Sequence, residues 1–114
     1  MEEEKLIELL AHVYARIPFA RLRLKNVYDV WNHRVRAAAT RPTLSEAISR
    51  LANFFGIQSL SKEAIRLIDE LMPMEQELLE RLIREHITLS MKAAIRGKQI
   101  KEEKKKNRKI NKKI

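Results

Sequence analysis

Cysteine is absent from the 114 residues of this chain. That excludes a disulfide framework, a cysteine metal site and a thiol nucleophile. Glycine occurs twice and proline three times, too few for collagen, a Gly-rich linker or a many-turned β fold. Gly56 and Gly97 stand alone, so there is no glycine-rich phosphate loop. His12, His33 and His86 are not spaced at i+3 or i+4 from one another, so the sequence offers no metal site. No apolar run approaches the roughly 18–20 residues of a membrane span. Met1-Glu2-Glu3-Glu4 lacks the positive start of a secretory signal. The expectation is a soluble, intracellular, single-domain helical protein without cofactor, metal or small-molecule substrate. Glu75, Glu77 and Glu80 fall near the start of a helix, where acidic side chains complement the helix dipole, and nothing in the sequence points to an enzyme.

What the chain does have is positive charge, and it is segregated. Lys and Arg number 24 against 15 Asp and Glu, a formal charge of +9. Residues 1–15 carry four Glu against Lys5, and residues 16–41 carry seven Lys or Arg against Asp29. Residues 42–91 are net acidic, with eight acidic and five basic side chains. Residues 92–114 carry eleven basic side chains, nine of them lysine, against Glu102 and Glu103. Two basic segments thus flank an acidic, apolar-rich middle. Such blocks contact polyanions, of which nucleic acid is the commonest.

Apolar spacing predicts helices throughout. Leu6, Leu9, Leu10, Val13 and Tyr14 form a stripe over 3–15. Pro18 interrupts, and a second helix is expected over 19–39, stopped by Thr40-Arg41-Pro42. Thr43-Leu44-Ser45-Glu46 is a capping box for a third helix over 44–55, with Leu44, Ala47, Ile48, Leu51, Ala52 and Phe55 inward and Gly56 at the C-terminal cap. Ser59 or Ser61 caps a fourth helix carrying Ala64, Ile65, Leu67, Ile68, Leu71 and Met72. Pro73 separates it from a fifth over 74–96, with Leu78, Leu79, Leu82, Ile83, Ile87 and Met91 inward. Gly97 weakens that helix, and the lysine-rich 98–114 is expected to be disordered or a frayed helix in water. The fold class is therefore all-α: a small helical bundle over 42–96, a basic N-terminal helical arm over 1–41 and a lysine-rich tail over 97–114.

On a helical wheel, residues 19–39 place Leu24, Val27, Tyr28, Trp31, Val35 and Ala38 on one face. Arg16, Arg23, Arg34 and Arg41 line one side of it, and Arg21, Lys25 and Arg36 the other. The planar arginine fork grips phosphate bidentately. In the last segment Lys92, Arg96, Lys98, Lys101, Lys104, Lys105, Lys106, Arg108 and Lys109 add looser charge neutralisation. These residues are the candidate contacts to double-stranded DNA, made through its backbone and without a base code. A basic amphipathic helix also suits a membrane surface, but Asn26, Asp29 and Asn32 on its polar side disfavour that. Residues 44–72 also have the outline of a helix-turn-helix, whose second helix would carry Glu63, Asp69 and Glu70 toward phosphate.

Two resemblances bear on function. Ala47-Ile48-Ser49-Arg50-Leu51-Ala52 with Gly56-Ile57-Gln58-Ser59-Leu60-Ser61 resembles the first helix and loop of core histones. Leu78-Leu79-Glu80-Arg81-Leu82-Ile83-Arg84-Glu85 resembles the later part of their long central helix, and Gly97-Lys98-Gln99-Ile100 their second loop. That resemblance implies a chromatin protein forming closed dimers, with Lys98 as a possible DNA contact. In its organisation the whole chain resembles the major capsid proteins of filamentous archaeal DNA viruses, which are small, helical and basic. This implies an arm that wraps the duplex, a bundle that forms the outer wall, and a virion location; otherwise the chain would be cytoplasmic or nucleoid-associated. The expected function is a coat subunit that packages double-stranded DNA and self-associates, or pairs with a paralogous subunit, in a helical filament. The alternatives are a histone-like protein, a transcription regulator and a protein adaptor.

Overall fold

The computed structural model describes residues 2–17 and 24–112, with side chains for 2–17 and 26–106. Every regular element among them is helical. α1 spans Glu2–Tyr14. α2 (Leu24–Val30) runs through a π-helical turn (Trp31–Val35) into α3 (Arg36–Ala39). α4 (Leu44–Phe54) and α5 (Lys62–Leu71) follow. A 3-10 turn (Met72–Met74) leads into α6 (Glu75–Arg84), and α7 covers His86–Lys112. No helix of the described residues is long and apolar enough to cross a membrane.

Local chemistry sets the ends of α4 and α5. Thr43 and Ser61 are extended, and their hydroxyls accept from the backbone N–H of Glu46 (3.1 Å) and Ala64 (3.2 Å). Each such cap contributes about 1 kcal/mol. At the other end of α4, Gly56 has φ +77°. The N–H groups of Gly56 and Ile57 reach back to Asn53 and Ala52 at 3.0 Å, the paired bonds of a Schellman motif.

The core is shared by every helix. Leu6, Leu9, Leu10 and Tyr14 of α1 are buried in one cluster with Trp31, Ile48, Leu51, Leu71, Leu82 and Leu89. Residues 2–17 therefore lie inside the bundle, where the sequence reading had them begin an arm. The leucine stripe of α1 explains this: it needs an apolar partner, and α7 supplies one through Leu89, Ala93, Gly97 and Ile100. Gly97 is the point of closest approach. A Cβ built there would sit 3.1 Å from the Ala11 carbonyl oxygen and Tyr14 Cβ, and 3.2 Å from the Ala15 nitrogen. Beyond it Ile100 is buried with Ala11 and Ala15 in a second small cluster. The glycine expected to weaken a helix is thus what lets two helices touch. The lysine-rich segment, expected to be disordered or frayed, continues α7 as helix.

The long fifth helix of the sequence reading is two helices. The chain breaks at Glu85 (φ −111°, ψ 29°). His86 staples the break: its ring stacks on Trp31 at 4.1 Å and 9°, and its Nδ1–H donates to the Ile83 carbonyl at 3.0 Å. The break changes the helical phase. Ile83 and Met91, expected inward, are exposed, and Leu89, Ser90, Ala93 and Ala94 are buried instead. Tyr28, Ile65 and Met72 likewise face outward, because α2 and α5 each bury a narrower stripe than the wheel suggests. The central helix implied by the histone resemblance is interrupted at Met72–Met74, where Pro73 cannot donate the backbone bond a continuous helix needs.

Candidate nucleic-acid interface

The fold brings basic residues from three distant stretches to one cleft. α1 ends in a tight turn, with Arg16 N–H donating to the Val13 carbonyl (3.1 Å) and Ile17 N–H to that of Tyr14 (3.0 Å). This aims Arg16 across the loop after α4, where its guanidinium donates to the Ser59 carbonyl. Lys62 opens α5 beside that loop. Lys101, Lys104 and Lys105 come down from α7, and Lys101 Nζ donates to the Ile17 carbonyl at 2.9 Å. Ala15, Arg16, Ser59, Leu60, Ser61, Lys62, Lys101, Lys104 and Lys105 line an open cleft of about 520 Å³.

Among the described residues, five cations and no carboxylate line this cleft. An acidic group beside it is Glu63, the second residue of α5. Its carboxyl is held below the usual carboxylate range chiefly by its own backbone N–H, against the pull of burial, with Lys104 and His12 adding their charge. Glu63 thus remains ionised and offsets part of Lys104. Arg16 and Lys104 are exposed, and the Arg16 guanidinium carries five donors, so the bond to Ser59 orients it and leaves donors for an anion. The opposite end of α1, about 20 Å away along a 13-residue helix, carries Glu2, Glu3 and Glu4. Charge of opposite sign therefore sits at the two ends of α1.

Other expected contacts are spread more widely. Arg36, Arg41, Lys92 and Lys106 are exposed outside the cleft, and Lys98 is half-buried. Arg34 lies over the Phe54 ring at 4.3 Å. Arg96 is engaged within the fold: it pairs with both oxygens of Glu8 (2.6 and 3.3 Å) and with Glu103 (3.3 Å). Its hydrogen bonds to Glu8 are the main cause holding the guanidinium charge more firmly than usual. The bridge ties α7 to α1, a structural task. Arg21 and Arg23 lie outside the described residues, as do the side chains of Lys25, Arg108 and Lys109.

Two cations of this surface escaped the sequence reading. Lys62 follows the capping Ser61 directly, so a search for charge beside helix starts would have found it. Arg50 precedes Phe54 by four residues and its guanidinium lies 5.1 Å from that ring, a spacing legible on any helical wheel. Among the described residues no three His, Asp or Glu gather as a metal site. No protein-family model, curated protein or solved structure matches the chain.

Proposed function

We propose that this chain is a structural protein that binds double-stranded DNA through its phosphodiester backbone, without sequence preference. The observation that carries the reading is the cleft where Arg16, Lys62, Lys101, Lys104 and Lys105 converge, with no carboxylate in its wall among the described residues. Lysine and arginine arrays of this kind neutralise phosphates and release counterions, and they need no contact to base edges. α5 is a poor base reader by comparison, since Asp69 and Glu70 lie on its exposed side.

In the finer version suggested by the resemblance to filamentous-virus capsid proteins, the chain is a coat subunit of a helical nucleocapsid. The exposed cations Arg16, Arg36 and Arg41, and those of the helix beyond 97, then meet the duplex, although the segment 26–39 that the capsid resemblance would make an arm is packed into the core. Copies associate laterally, in a heterologous contact that propagates as an open filament. Tyr28, Ile65, Met72 and Ile95, all at least half exposed, are available apolar surface for that contact.

The test is titration of a labelled random-sequence 20-base-pair duplex between 50 and 200 mM salt. If the five cleft cations each neutralise one phosphate, affinity falls about 500-fold over that range. The K62Q/K101Q/K104Q/K105Q variant is expected to lose most of that dependence. A wild-type chain that leaves the duplex free at 50 mM salt would refute the reading. Electron microscopy of the same mixture on long linear duplex distinguishes its forms. Uniform filaments support the coat version, and discrete compact particles a histone-like one.

A further inference from the structure

The Phe54 ring, at the C-terminal end of α4, holds two guanidiniums at once. Arg34, from the π-helical turn, lies 4.3 Å from its centre, and Arg50, one turn back along α4, lies 5.1 Å from it. Among the described residues neither arginine forms an ion pair. The contrast with Arg96, which is satisfied by two glutamates, is informative. Two like charges gathered around one ring repel each other, and an anion that reaches both reverses the sign of that interaction. The cation–π contact restrains each guanidinium at the ring while leaving its N–H donors for a bidentate phosphate contact. The π turn contributes to the placement, since it shifts the helical phase of Arg34 relative to α2, and π turns recur at functional sites.

The position of this pair relative to the basic cleft matters more. Phe54 and Ser59 are five residues apart, a reach of at most about 18 Å. That corresponds to about five base steps at roughly 3.4 Å each. Only the loop after α4 separates the two sets of cations.

We propose that Arg34 and Arg50, held on Phe54, form a phosphodiester clamp that grips the same nucleic-acid strand as the cleft, on the far side of the loop 55–61. This rests on the functional reading above and adds to it a second, arginine-built station with Phe54 as its positioning residue. Asp29 borders the clamp: it lines a hollow of about 290 Å³ with Asn26, His33, Arg34 and Phe55. It repels phosphate there and sets a limit on affinity.

The test uses the full chain, the 20-base-pair duplex and the same salt range. R34Q/R50Q removes two phosphate contacts, so the salt slope becomes shallower by about 1.8 and the wild-type advantage shrinks about 12-fold between 50 and 200 mM. R34K/R50K keeps both charges and loses both forks; it binds more weakly than wild type at every salt concentration with the slope retained. D29N binds more tightly. Wild-type affinity and slope in R34Q/R50Q, with binding still lost in the cleft variant, would overturn the clamp and leave the functional reading standing. Loss of slope in R34K/R50K as well would assign the effect to the fold and also overturn it. A wild-type chain that binds no duplex overturns both.

Discussion

Replacing Gly97 by valine tests the contact on which the placement of the basic cleft depends. The atoms that would crowd a Cβ at this position are the Ala11 carbonyl oxygen and the Ala15 nitrogen, with Tyr14 Cβ. The first two are themselves joined by the hydrogen bond that closes α1, Ala15 N–H to Ala11 at 2.8 Å. They are backbone atoms of a helix, and no side-chain rotation relieves the overlap. Two opposing effects decide the outcome. Removing a glycine from a helix interior gains about 1 kcal/mol for alanine and less for the β-branched valine. Forcing extra methyl groups into a packed contact costs about 1–3 kcal/mol. For Gly97→Ala the two nearly cancel, and stability is expected within about 1 kcal/mol of wild type. For Gly97→Val two methyls extend beyond the crowded Cβ, and the net loss is about 2 kcal/mol, a fall in Tm of about 8 °C for a chain of this size. Thermal melts followed by circular dichroism measure this directly. Amide exchange over 98–106 should accelerate in the valine variant, because this contact, together with Ile100 and the Lys101 bond to Ile17, holds the lysine-rich helix on the end of α1. A valine variant that melts at or above the wild-type temperature would refute the packing of α7 on α1 at Gly97.

Two further predictions follow from single side chains. Burial holds the pKa of His12 below the usual histidine value, against the pull of Glu8 and Glu63, and its Nδ1 is buried without a hydrogen-bond partner among the described residues. The unfolded chain therefore takes up the proton first, and stability falls as pH drops through about 6.5, by less than about 1.4 kcal/mol per pH unit; urea midpoints for wild type and His12→Gln at pH 7.5 and 5.5 should diverge, and parallel shifts would count against it. Trp31 is the single tryptophan and stacks on His86. His86→Leu should raise its fluorescence and cost about 1 kcal/mol, and unchanged emission would show that the rings do not stack in solution.

What could be read from the sequence was local. The caps at Thr43 and Ser61, the glycine at 56 and the apolar face of α4 each depend on residues within one turn, and all appear in the structure. The partner of α1 was not legible, because Gly97 and Ile100 acquire meaning only opposite Ala11 and Ala15. The break at Glu85 was hidden for a similar reason: His86 reads as one more polar residue until Trp31 lies against it. Candidate DNA contacts were sought along separate segments, which grouped Arg34 with Arg16 on one rail. Folding instead joins Arg16 to Lys62 and Lys101 through chain segments far apart in sequence, and sets Arg34 beside Arg50 on Phe54. A helical wheel orders residues within one helix, and the two groupings of cations here each draw on more than one.

The union of α1 with α7 also governs how the chain is made. Glu8 and Arg96 are 88 residues apart, and at about 5–20 residues per second a ribosome needs roughly 4–18 s to synthesise that interval. For those seconds Leu6, Leu9 and Leu10 have left the peptidyl-transfer centre without the helix that will cover them. The face of α1 that α7 covers therefore stays without that cover until the segment around Gly97 has been made.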